Sequence, residues 1–520
     1  MTDEKKPTIL HGTSAYAQIL APRSRLYHGP YGRLCPELPA WSPEGVPPEE
    51  LDRWFLGFAE DQMIEAPGRR PRQIVECPDL HRELETKFGA NVPSGYTYFG
   101  QFVDHDITFD PASSLVRQND PSGLFNFRTP RLDLDSVYGR GPVDQPYLYD
   151  PKDRHKFRIG TSSDSNLRDL PRIEGDALIG DPRNDENAIV SQLHLAVLLA
   201  HNELVVRAVE NNKRKKEKVG DPFEAARRTV RWLYQHIVWN DFIKRVTEPS
   251  VHEHALKLVD AGGGRRRWEL GFSDVYSWKH QPFMPVEFSV AAYRFGHSMV
   301  RNDYQTNFGR GVGVFVPTFD DEKNHPDDLR GFRRIEKKNV PQWNWFLAMS
   351  SPEGFPQMAR RIDTKLSNAL AFVPGGEKKT GFKNVLAARN LKRGWTFGLP
   401  AGTAIAKHFG LAPVPSDALE LDALWYYVLR EAELSTDGDA GGKLGALGSL
   451  IVCATFAGLL FGDPSSYFKV EPCWTPDRDP LLKPGKDNQD DAEWSLASLI
   501  RIAGLPVTAS DFPVPAGRKG

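Results

Sequence analysis

Length, composition and charge exclude several classes of protein. The chain has 520 residues, with 66 Lys and Arg against 68 Asp and Glu, and its formal net charge is -2. A balance of this kind gives no reason to expect nucleic acid or an anionic membrane as a partner. The four cysteines are too sparse for a disulfide scaffold, and no pair has the CxxC spacing of a zinc or redox site.

The two ends of the chain are rich in Pro and Gly. Residues 1–84 and 474–520 therefore read as an irregular N-terminal arm and a C-terminal extension, both laid over a core at 85–473. The first residues, MTDEKKPTIL, carry charge and no apolar run, so no secretory signal peptide is seen. We expect a protein that stays in the cytoplasm or leaves it by a signal-less route.

One stretch is long and apolar enough to raise the question of a membrane span. Residues 444–462 carry no charge, and about 18 such residues make a candidate span. Four glycines interrupt the stretch, however, and Asp463 and Pro464 follow at once. A buried core helix over 447–461 is the favoured interpretation, and no membrane span is predicted.

The strongest patterns between the two ends are helical. An apolar stripe at i, i+4, i+7 and i+11 is formed by Leu193, Val197, Ala200 and Leu204. The segments 288–302, 425–433 and 447–461 also read as helices, whereas alternating strand patterns are few and short. The sequence therefore predicts a mainly α fold with one large core and few short strands.

The segment 100–106, GQFVDHD, carries three polar groups in apolar surroundings. If it is helical, Gln101 and His105 stand at i and i+4, and Asp104 shares their face. Burying such a trio is costly unless the groups are used. The alternative is the solvent face of a helix.

A His-Asp pair also occurs in metal phosphohydrolases, which bind their metals through a His…His-Asp…Asp set. Residues 104–106 would supply the middle of that set, and His194 or His201 another ligand. These two histidines lie seven apart on one predicted helix and project to nearly the same side. Satisfied histidines in the core or at the surface are the favoured interpretation, and the phosphohydrolase stays as the alternative from another class.

The segment 129–139, TPRLDLDSVYG, has oxygen-bearing side chains at alternate positions. Such a loop suits a hard cation such as Ca²⁺, although the pattern is not that of an EF-hand. Taken alone, the segment also reads as a turn with capping aspartates.

The segment 180–186, GDPRNDE, lies immediately before the helix that contains Leu193. Acidic residues at a helix start are ordinary partners of the helix dipole, which accounts for Asp185 and Glu186. The dipole does not account for Arg183, because a cation near a helix N-terminus is unfavourable.

The segment 288–302, FSVAAYRFGHSMVRN, is predicted to be a helix that is apolar on two opposite faces and therefore buried. His297 lies in the middle of one stripe, where a histidine is usually satisfied within the core. The neighbouring Arg294 favours an anionic group close by.

Together, and in this order, these segments resemble the animal-type haem peroxidases, the family of myeloperoxidase and its bacterial relatives. The resemblance runs from about residue 90 to 470, and the matching stretches are 98–106, 132–139, 180–186, 201–204, 291–298, 390–394, 398–400 and 462–467. It implies a helical peroxidase core with its catalytic domain at 85–473, and bound haem b and calcium.

The resemblance implies roles for the residues around the haem. His105 is similar to the distal histidine, which moves a proton on H₂O₂. Arg183 is similar to the distal arginine, whose charge stabilises the polarised O–O bond. Gln101 matches the distal glutamine near the halide site. His297 resembles the proximal iron ligand, and Asn390 the partner of its other ring nitrogen.

Other positions match contacts to the haem itself. Arg393 matches a contact to a haem propionate, and Arg294 is expected to face the same kind of anion. Asp104 and Glu186 match the carboxylates that form ester links to haem methyl groups in several members, which implies a route to covalent haem. Asn187 stands where myeloperoxidase has a methionine linked to a haem vinyl group, so this third bond is expected to be absent.

The resemblance also implies a calcium site. Its ligands would be Asp106, Thr129, Arg131 through its carbonyl, Asp133 and Asp135. Asp135 stands where myeloperoxidase has a serine, and an aspartate there still ligates calcium.

The implied activity is the reduction of H₂O₂ coupled to oxidation of a phenolic or aromatic donor, or of a halide or thiocyanate ion, with a role in the response to oxidative stress. The same superfamily contains fatty-acid dioxygenases, whose radical-forming tyrosine stands three residues before the proximal histidine. That position is Arg294 here, and Tyr293 is turned by about 100° around an α-helix, which favours a peroxidase. A haem-free relative is disfavoured because every catalytic position is filled. The physiological donor and the oligomeric state stay open.

Overall fold

The computed structural model describes residues 29–65, 89–108, 125–126, 128–214, 218–278, 281–307, 314–318, 328–350, 356–371, 385–436, 439–491 and 493–512. Helices dominate these ranges, which confirms the predicted mainly α fold. In chain order the α-helices are α1 (Leu51–Gln62), α2 (Gly95–Ile107), α3 (Asp135–Tyr138), α4 (Gly141–Asp144), α5 (Ala188–Lys213), α6 (Pro222–Ile237), α7 (Lys244–Val246), α8 (Pro249–Ala255), α9 (Asn368–Ala371), α10 (Leu386–Thr396), α11 (Gly402–His408), α12 (Leu424–Glu433), α13 (Ala446–Gly462), α14 (Tyr467–Val470) and α15 (Leu496–Ala503).

The strands of the described ranges are short. They are β1 (Gly29–Gly32), β2 (Phe125–Asn126), β3 (Gly160–Thr161), β4 (Arg168–Asp169), β5 (Arg172–Ile173), β6 (Asp176–Ala177), β7 (Leu256–Gly262), β8 (Arg265–Leu270), β9 (Met284–Pro285), β10 (Asp303–Asn307) and β11 (Val314–Pro317). β1 pairs antiparallel with β2 and parallel with β9. The other pairs are antiparallel: β3 with β4, β5 with β6, β7 with β8, and β10 with β11.

Helix α5 lies at the centre of the core. Asn187 caps its N-terminus by accepting a hydrogen bond from the Val190 N–H at 2.9 Å. Residues 188–201 are buried on all sides of the helix, because α5 packs against α2, α6 and α15. A helix that is apolar all round belongs inside such a bundle.

Helices α10, α12 and α13 form a second group. α12 packs on α10, α11 and α13, and it also contacts residues 292–297. The same residues contact α2 of the first group. The segment that carries His297 therefore lies between the two groups of helices.

The helices predicted from periodicity are confirmed. The stripe that begins at Leu193 lies on α5, and the segment 100–106 lies within α2. The predictions over 425–433 and 447–461 correspond to α12 and α13; α12 begins one residue earlier, and α13 is one residue longer at each end. α5 and α13 are buried nearly all round, and their length and apolar composition were the signal.

The prediction of a continuous helix over 288–302 was wrong. Glu287–Ala291 forms a π-helical turn, and Ala292–His297 forms a 3-10 helix. Between them Ala291 has φ -128° and ψ -76°, away from helical values. A buried segment carries apolar side chains whether its winding is α, π or 3-10. The two apolar stripes therefore predicted that the segment is buried, but not which type of helix it forms.

The Pro- and Gly-rich ends are less irregular than their composition predicted. Helix α1 lies within 1–84 and buries Leu51, Phe55 and Ala59. Helix α15 lies within 474–520 and begins with a capping box at Ser495. Residues 1–28, 66–84 and 513–520 lie outside the described residues, and the boundaries of arm and extension stay predictions.

One described helix, α5, has the length and composition of a membrane span. Of its apolar 18-residue window, 83% is buried inside the protein, as in the core helix of a globular protein. The charge-free stretch at 444–462 corresponds to α13, which is shorter and also buried.

Candidate active site

Gln101, His105 and Glu186 form a polar cluster between α2 and the turn that precedes α5. Gln101 Nε2 donates a hydrogen bond to Glu186 Oε1, and His105 Nε2 lies 3.6 Å from the same oxygen. Asn187, the cap of α5, donates from Nδ2 to Gln101 Oε1 at 3.1 Å. The predicted i, i+4 pair on α2 therefore shares one face, and that face meets Glu186.

Asp104 is a neighbour of this cluster, and its charge acts on His105. Thr108 Oγ1 donates to Asp104 Oδ1 at 2.9 Å. The charge of Asp104 acts on Tyr293 and Arg294, which belong to the other side of the site. The charge of Asp104 therefore reaches groups on both sides of the site.

His105 is held as a neutral base. It is 4% exposed, and burial lowers the pKa of its imidazole, with a further lowering from the charge of Arg183. Nearby carboxylates, Glu186 foremost, oppose this shift without cancelling it. The Nδ1 atom lies 2.9 Å from Asn184 Oδ1, which leaves Nε2 as the nitrogen that can accept a proton.

Arg183 lies in the 3-10 helix Pro182–Asp185 and donates from Nη2 to the His105 carbonyl at 2.8 Å. Asp181 accepts hydrogen bonds from the Arg183 backbone N–H at 2.9 Å and from Nη2 at 2.8 Å. Burial alone would raise the pKa of Asp181, but the charges of Arg128 and Arg183 hold it well below its usual range. This ion pair accounts for a cation near the start of α5.

Asp185 and Glu186 have side-chain partners besides the dipole of α5. Asp185 is buried and accepts two hydrogen bonds from Arg172, Nη1 to Oδ2 at 2.6 Å and Nη2 to Oδ1 at 2.7 Å. Glu186 belongs to the cluster of Gln101. The first turn of α5 is satisfied by Asn187 instead.

Three predicted calcium ligands converge where the C-terminal end of α2 meets the start of α3. One carboxylate oxygen from each of Asp106, Asp133 and Asp135 lies within 4.8 Å of the other two. Thr129 Oγ1 donates to Asp133 Oδ2 at 3.0 Å, and the Arg131 N–H donates to the Thr129 carbonyl at 2.8 Å. Burial and the neighbouring aspartates raise the pKa of Asp106 well above its usual range and that of Asp133 to about 7. A bound cation would relieve this repulsion.

The acidic loop is tied to the turn before α5. Arg128 Nη1 lies 3.3 Å from Asp135 Oδ1, and Arg128 Nε donates to Asp181 Oδ2 at 3.0 Å. Gly180 packs on the loop so closely that a Cβ atom there would lie 2.5 Å from the Ser136 carbonyl oxygen. The loop and the turn that carries the distal arginine candidate are therefore held together by charge and by close packing.

His297 ends its 3-10 helix, and Asn390 of α10 lies beside it. Asn390 Nδ2 and His297 Nδ1 are 2.9 Å apart, while Asn390 Oδ1 accepts from Arg294 Nη1 at 3.3 Å. The predicted contact between His297 and Asn390 is present, and the NH₂ group of the Asn390 amide faces the imidazole ring. A neutral imidazole that accepts at Nδ1 carries its proton on Nε2.

Arg294, Arg389 and Arg393 bring three positive charges together next to Asn390. Burial and the charge of Arg393 lower the pKa of Arg294 and of Arg389 to about 10 each, and Asp104 offsets part of this shift for Arg294. Arg389 is 7% exposed, and its Nη1 has no hydrogen-bond partner among the described residues. Buried charge without a counter-ion is costly, so the cluster is suited to an anionic ligand.

Tyr293 connects the two sides of the site. Its hydroxyl donates to the Gly100 carbonyl of α2 at 3.1 Å. Residues three apart eclipse each other on a 3-10 helix, so Arg294 shares the face of His297 and Tyr293 does not. The sequence analysis also placed Tyr293 and His297 on different faces, on the assumption of an α-helix. In the 3-10 helix each residue turns the chain by about 120° instead of about 100°.

His194 and His201 are both buried in the core, where His201 is satisfied at both ring nitrogens and His194 at Nδ1 alone among the described residues. His194 Nδ1 lies 3.0 Å from Asn184 Nδ2. His201 contacts the Tyr138 hydroxyl at 3.0 Å and the His155 carbonyl at 2.8 Å. In the described part of the chain, the carboxylate group that could hold a metal contains three aspartates and no histidine, which does not match the phosphohydrolase ligand set.

Sequence reasoning missed Asn184 and Arg389 as residues of the site. Arg389 stands four residues before Arg393 on α10, so helical spacing was a usable signal for a shared face. Asn184 lies in a single 3-10 turn, where no periodic pattern points to its partners.

The fold is that of a class that includes peroxidases and fatty-acid dioxygenases. Peroxidase A from Dictyostelium discoideum has a TM-score of 0.57 at 14% identity, with 94% of this chain and 95% of that chain covered. A fatty acid alpha-dioxygenase from Oryza sativa has a TM-score of 0.56 at 13% identity, with 90% and 82% covered. Likeness at these identities concerns the fold alone.

The family follows from the sequence comparison. The animal haem peroxidase family model matches residues 113–423, more than half of the chain, and the chain belongs to that family. A peroxidase-like protein from Margaritifera margaritifera is 36% identical over 384 residues, which is 67% of this chain and 44% of that protein. The chain spans less than half the length of the curated relatives it matches.

The residues present fit the haem that this family implies. His297 is an imidazole of the type that binds haem iron. The three arginines next to Asn390 are suitable partners for the two carboxylates of a haem, and the buried Nη1 of Arg389 is a donor in need of such an acceptor. His105 and Arg183 supply a neutral base and a cation on α2 and the turn before α5.

Proposed function

We propose that this protein is a haem peroxidase that reduces H₂O₂ and oxidises a phenolic or aromatic donor, or a halide or thiocyanate ion. The observation that carries the proposal is the neutral, buried His105 next to the charge of Arg183, in a chain of the animal haem peroxidase family. Cleavage of a peroxide bond needs a base for the proton and a cation for the developing charge.

Each of these residues has a distinct task. The haem, when bound, would supply the iron and the two electrons that reduce H₂O₂, and the donor would then replace these electrons. His105 accepts a proton from H₂O₂ at Nε2 and returns it to the leaving oxygen, which departs as water. Arg183 is held by Asp181 and stabilises the negative charge on that oxygen. Gln101 lies beside His105, where a halide or small donor would bind.

We propose His297 as the iron ligand and Asn390 as the residue that orients it. A ligand nitrogen at Nε2 requires the proton at Nδ1, and therefore a half-turn of the Asn390 amide so that Oδ1 accepts it. The half-turn releases Arg294 Nη1 from its present acceptor. Arg294 then joins Arg389 and Arg393 in binding the haem carboxylates.

Asp104 and Glu186 are the proposed ester partners of the haem. The charge of Asp104 acts on Arg294 and on His105, and Glu186 Oε1 lies 3.6 Å from His105 Nε2. Asn187 is engaged as a helix cap and with Gln101, and it offers no sulfur for a third link. Haem that stays with the protein in acidic organic solvent, and is partly released in Glu186→Gln, would support these links.

The first experiment is the ultraviolet–visible spectrum of the purified protein supplied with haem, before and after stoichiometric H₂O₂. A ferric Soret band that falls on addition of peroxide and recovers with a phenolic donor supports the proposal. A protein that takes up no haem overturns it. If such a protein carries a transition metal, the phosphohydrolase becomes the better hypothesis.

Two variants separate the two sides of the site. His105→Ala should keep the haem and slow peroxide cleavage by about 10²–10⁴-fold, the usual contribution of general acid–base catalysis. His297→Ala should lose or loosen the haem. Haem content and stopped-flow rates measure these effects, and the reverse pattern would mean that the two sides are wrongly assigned.

A further inference from the structure

A chain of contacts runs from His105 into the core. His105 Nδ1 lies 2.9 Å from Asn184 Oδ1, and Asn184 Nδ2 lies 3.0 Å from His194 Nδ1. Asn184 and His194 are both fully buried. The chain ends at His194 Nε2, which is buried with no hydrogen-bond partner in the described ranges.

The donors and acceptors of this chain fix the position of each ring proton. An amide oxygen only accepts, so His105 carries its proton on Nδ1 and presents a lone pair at Nε2. An amide NH₂ only donates, so His194 accepts at Nδ1 and carries its proton on Nε2. One side-chain amide, that of Asn184, therefore couples the two tautomers.

His194 is suited to hold this arrangement. Burial lowers the pKa of His194 to about 3, so the ring stays neutral and able to accept. Its ring packs edge-on against Phe102, with centroids 6.2 Å apart, and its Nε2–H is left unpaired. An unpaired buried N–H is destabilising, and an apolar side chain at this position would avoid that cost.

We propose that Asn184 and His194 are positioning residues that keep the proton of His105 on Nδ1. Nε2 is then free to take a proton from peroxide, whereas the other tautomer has no lone pair there. His194 acts on the site only through Asn184. The inference rests on the proposed peroxidase function. It adds to that function two residues, Asn184 and His194, that do not touch the reacting groups.

The ring proton can be located directly. In holoenzyme labelled with ¹⁵N at histidine, in its diamagnetic ferrous carbonyl form, long-range ¹H–¹⁵N NMR distinguishes Nδ1–H from Nε2–H, and His105→Ala identifies the signals. We expect Nδ1–H at His105 in the wild type. His194→Leu and Asn184→Leu should shift it towards Nε2–H. Asn184→Asp keeps an acceptor and should keep Nδ1–H.

Cyanide gives a second readout that does not depend on turnover, because HCN must give its proton to a base as the anion binds. We expect its association rate with the ferric holoenzyme to fall on the order of tenfold in His194→Leu, part of the effect of losing a general base. Asn184→Asp should stay near the wild type. The matched control is His201→Leu, which removes another buried histidine from α5 and should leave both readouts unchanged.

The outcomes separate the inference from the proposed function. A wild-type holoenzyme with Nε2–H at His105, or a His194→Leu variant with unchanged NMR signals and cyanide rate, overturns the inference and leaves the peroxidase standing. A protein that binds no haem overturns both. If His194→Leu does not fold, the pair Asn184→Leu and Asn184→Asp carries the same test.

Discussion

At the scale of single residues, Arg389 is a buried cation whose surroundings suit an anionic ligand. It lies on α10 with one guanidinium nitrogen buried and unpaired among the described residues. The charge of Arg393 adds to the cost of burial. The unpaired nitrogen of Arg389 makes no stabilising hydrogen bond in the haem-free protein. We therefore expect Arg389 to contribute to haem affinity and not to the stability of the apoprotein.

Arg389→Leu should therefore weaken haem binding without harming the apoprotein. Loss of a hydrogen bond to a charged group costs about 1.5–3 kcal/mol, or at least tenfold in haem affinity, while removal of an unpaired buried charge leaves the melting temperature of the apoprotein equal or higher. Haem titration and calorimetry measure the two effects. Lys392→Gln is the control, since Lys392 pairs with Asp52 at 3.0 Å; equal haem affinities in both variants would contradict the assignment.

Tyr293→Phe tests the dioxygenase alternative. The variant removes the hydrogen bond to the Gly100 carbonyl, which costs about 1 kcal/mol of stability. A peroxidase that does not use Tyr293 should keep its rate of phenolic donor oxidation within about twofold, since less than 0.5 kcal/mol of transition-state stabilisation is then lost. Oxygen uptake with a fatty acid is measured in parallel; uptake in the wild type that disappears in the variant would favour a dioxygenase.

At the scale of elements, the acidic loop and the turn before α5 behave as one unit. Arg128 joins Asp135 of the loop to Asp181 of the turn, and Asp106 of the same cluster directly follows His105 in α2. A cation in the loop would therefore stabilise both elements that carry the proposed distal residues.

Removal of calcium should lower the melting temperature of the wild type. A ligand present at about 100 times its Kd stabilises the folded state by about 2.7 kcal/mol, and chelation by EGTA withdraws that amount. In Asp133→Asn the EGTA effect should be largely lost, and the calcium-free form should melt higher than that of the wild type because the carboxylates repel less. Asp144→Asn, outside the cluster, is the control; an EGTA response unchanged by Asp133→Asn would place the calcium elsewhere.

Gly180→Ala should separate the loop from the turn. The added Cβ would lie 2.5 Å from the Ser136 carbonyl oxygen, and overpacking of this kind costs about 1–3 kcal/mol. Chemical denaturation measures the change, with slower peroxide reaction as a second readout. Gly57→Ala in α1 meets no atom within 4 Å and should be neutral or stabilising. Similar destabilisation in both variants would mean that the close approach is not the cause.

At the scale of the whole molecule, the sequence predicted what depends on local periodicity. Apolar patterns predicted the mainly α fold and helices α5, α12 and α13, and the family resemblance implied the pair of His297 and Asn390. The rest depends on contacts between distant segments. The hydrogen bonds of Asn184 to two helices and the pairing of Arg128 with Asp181 have no local signature, and nearby prolines obscured α1.

Buried histidines should make the molecule sensitive to acid, and His201 offers a measurable case. Burial lowers the pKa of His201 to about 4, against about 6.5 in the unfolded chain. The unfolded state therefore binds the extra proton first, and stability is lost as pH falls from about 6.5 towards 4, by about 3 kcal/mol in all. His201→Gln removes this term.

The test compares the free energy of unfolding of the wild type and His201→Gln between pH 7 and pH 4. We expect the wild type to lose stability relative to the variant as the pH falls, by about 1.4 kcal/mol per pH unit. A difference that stays constant over this range would show that His201 titrates normally in the folded protein.

The segment before His297 changes from π-helical to 3-10 winding. The number of residues in this segment therefore sets the direction in which the imidazole points. Glu287 is fixed at one end, where its carboxylate accepts from the Leu34 and Cys35 N–H groups at 3.0 and 3.3 Å, and His297 is fixed at the other by Asn390. Removing one residue from the 3-10 helix Ala292–His297 would rotate His297 by about 120° relative to its present position. Surface loops accept insertions and deletions readily, but here a change of one residue in chain length would turn the imidazole away from Asn390 with every side chain still present.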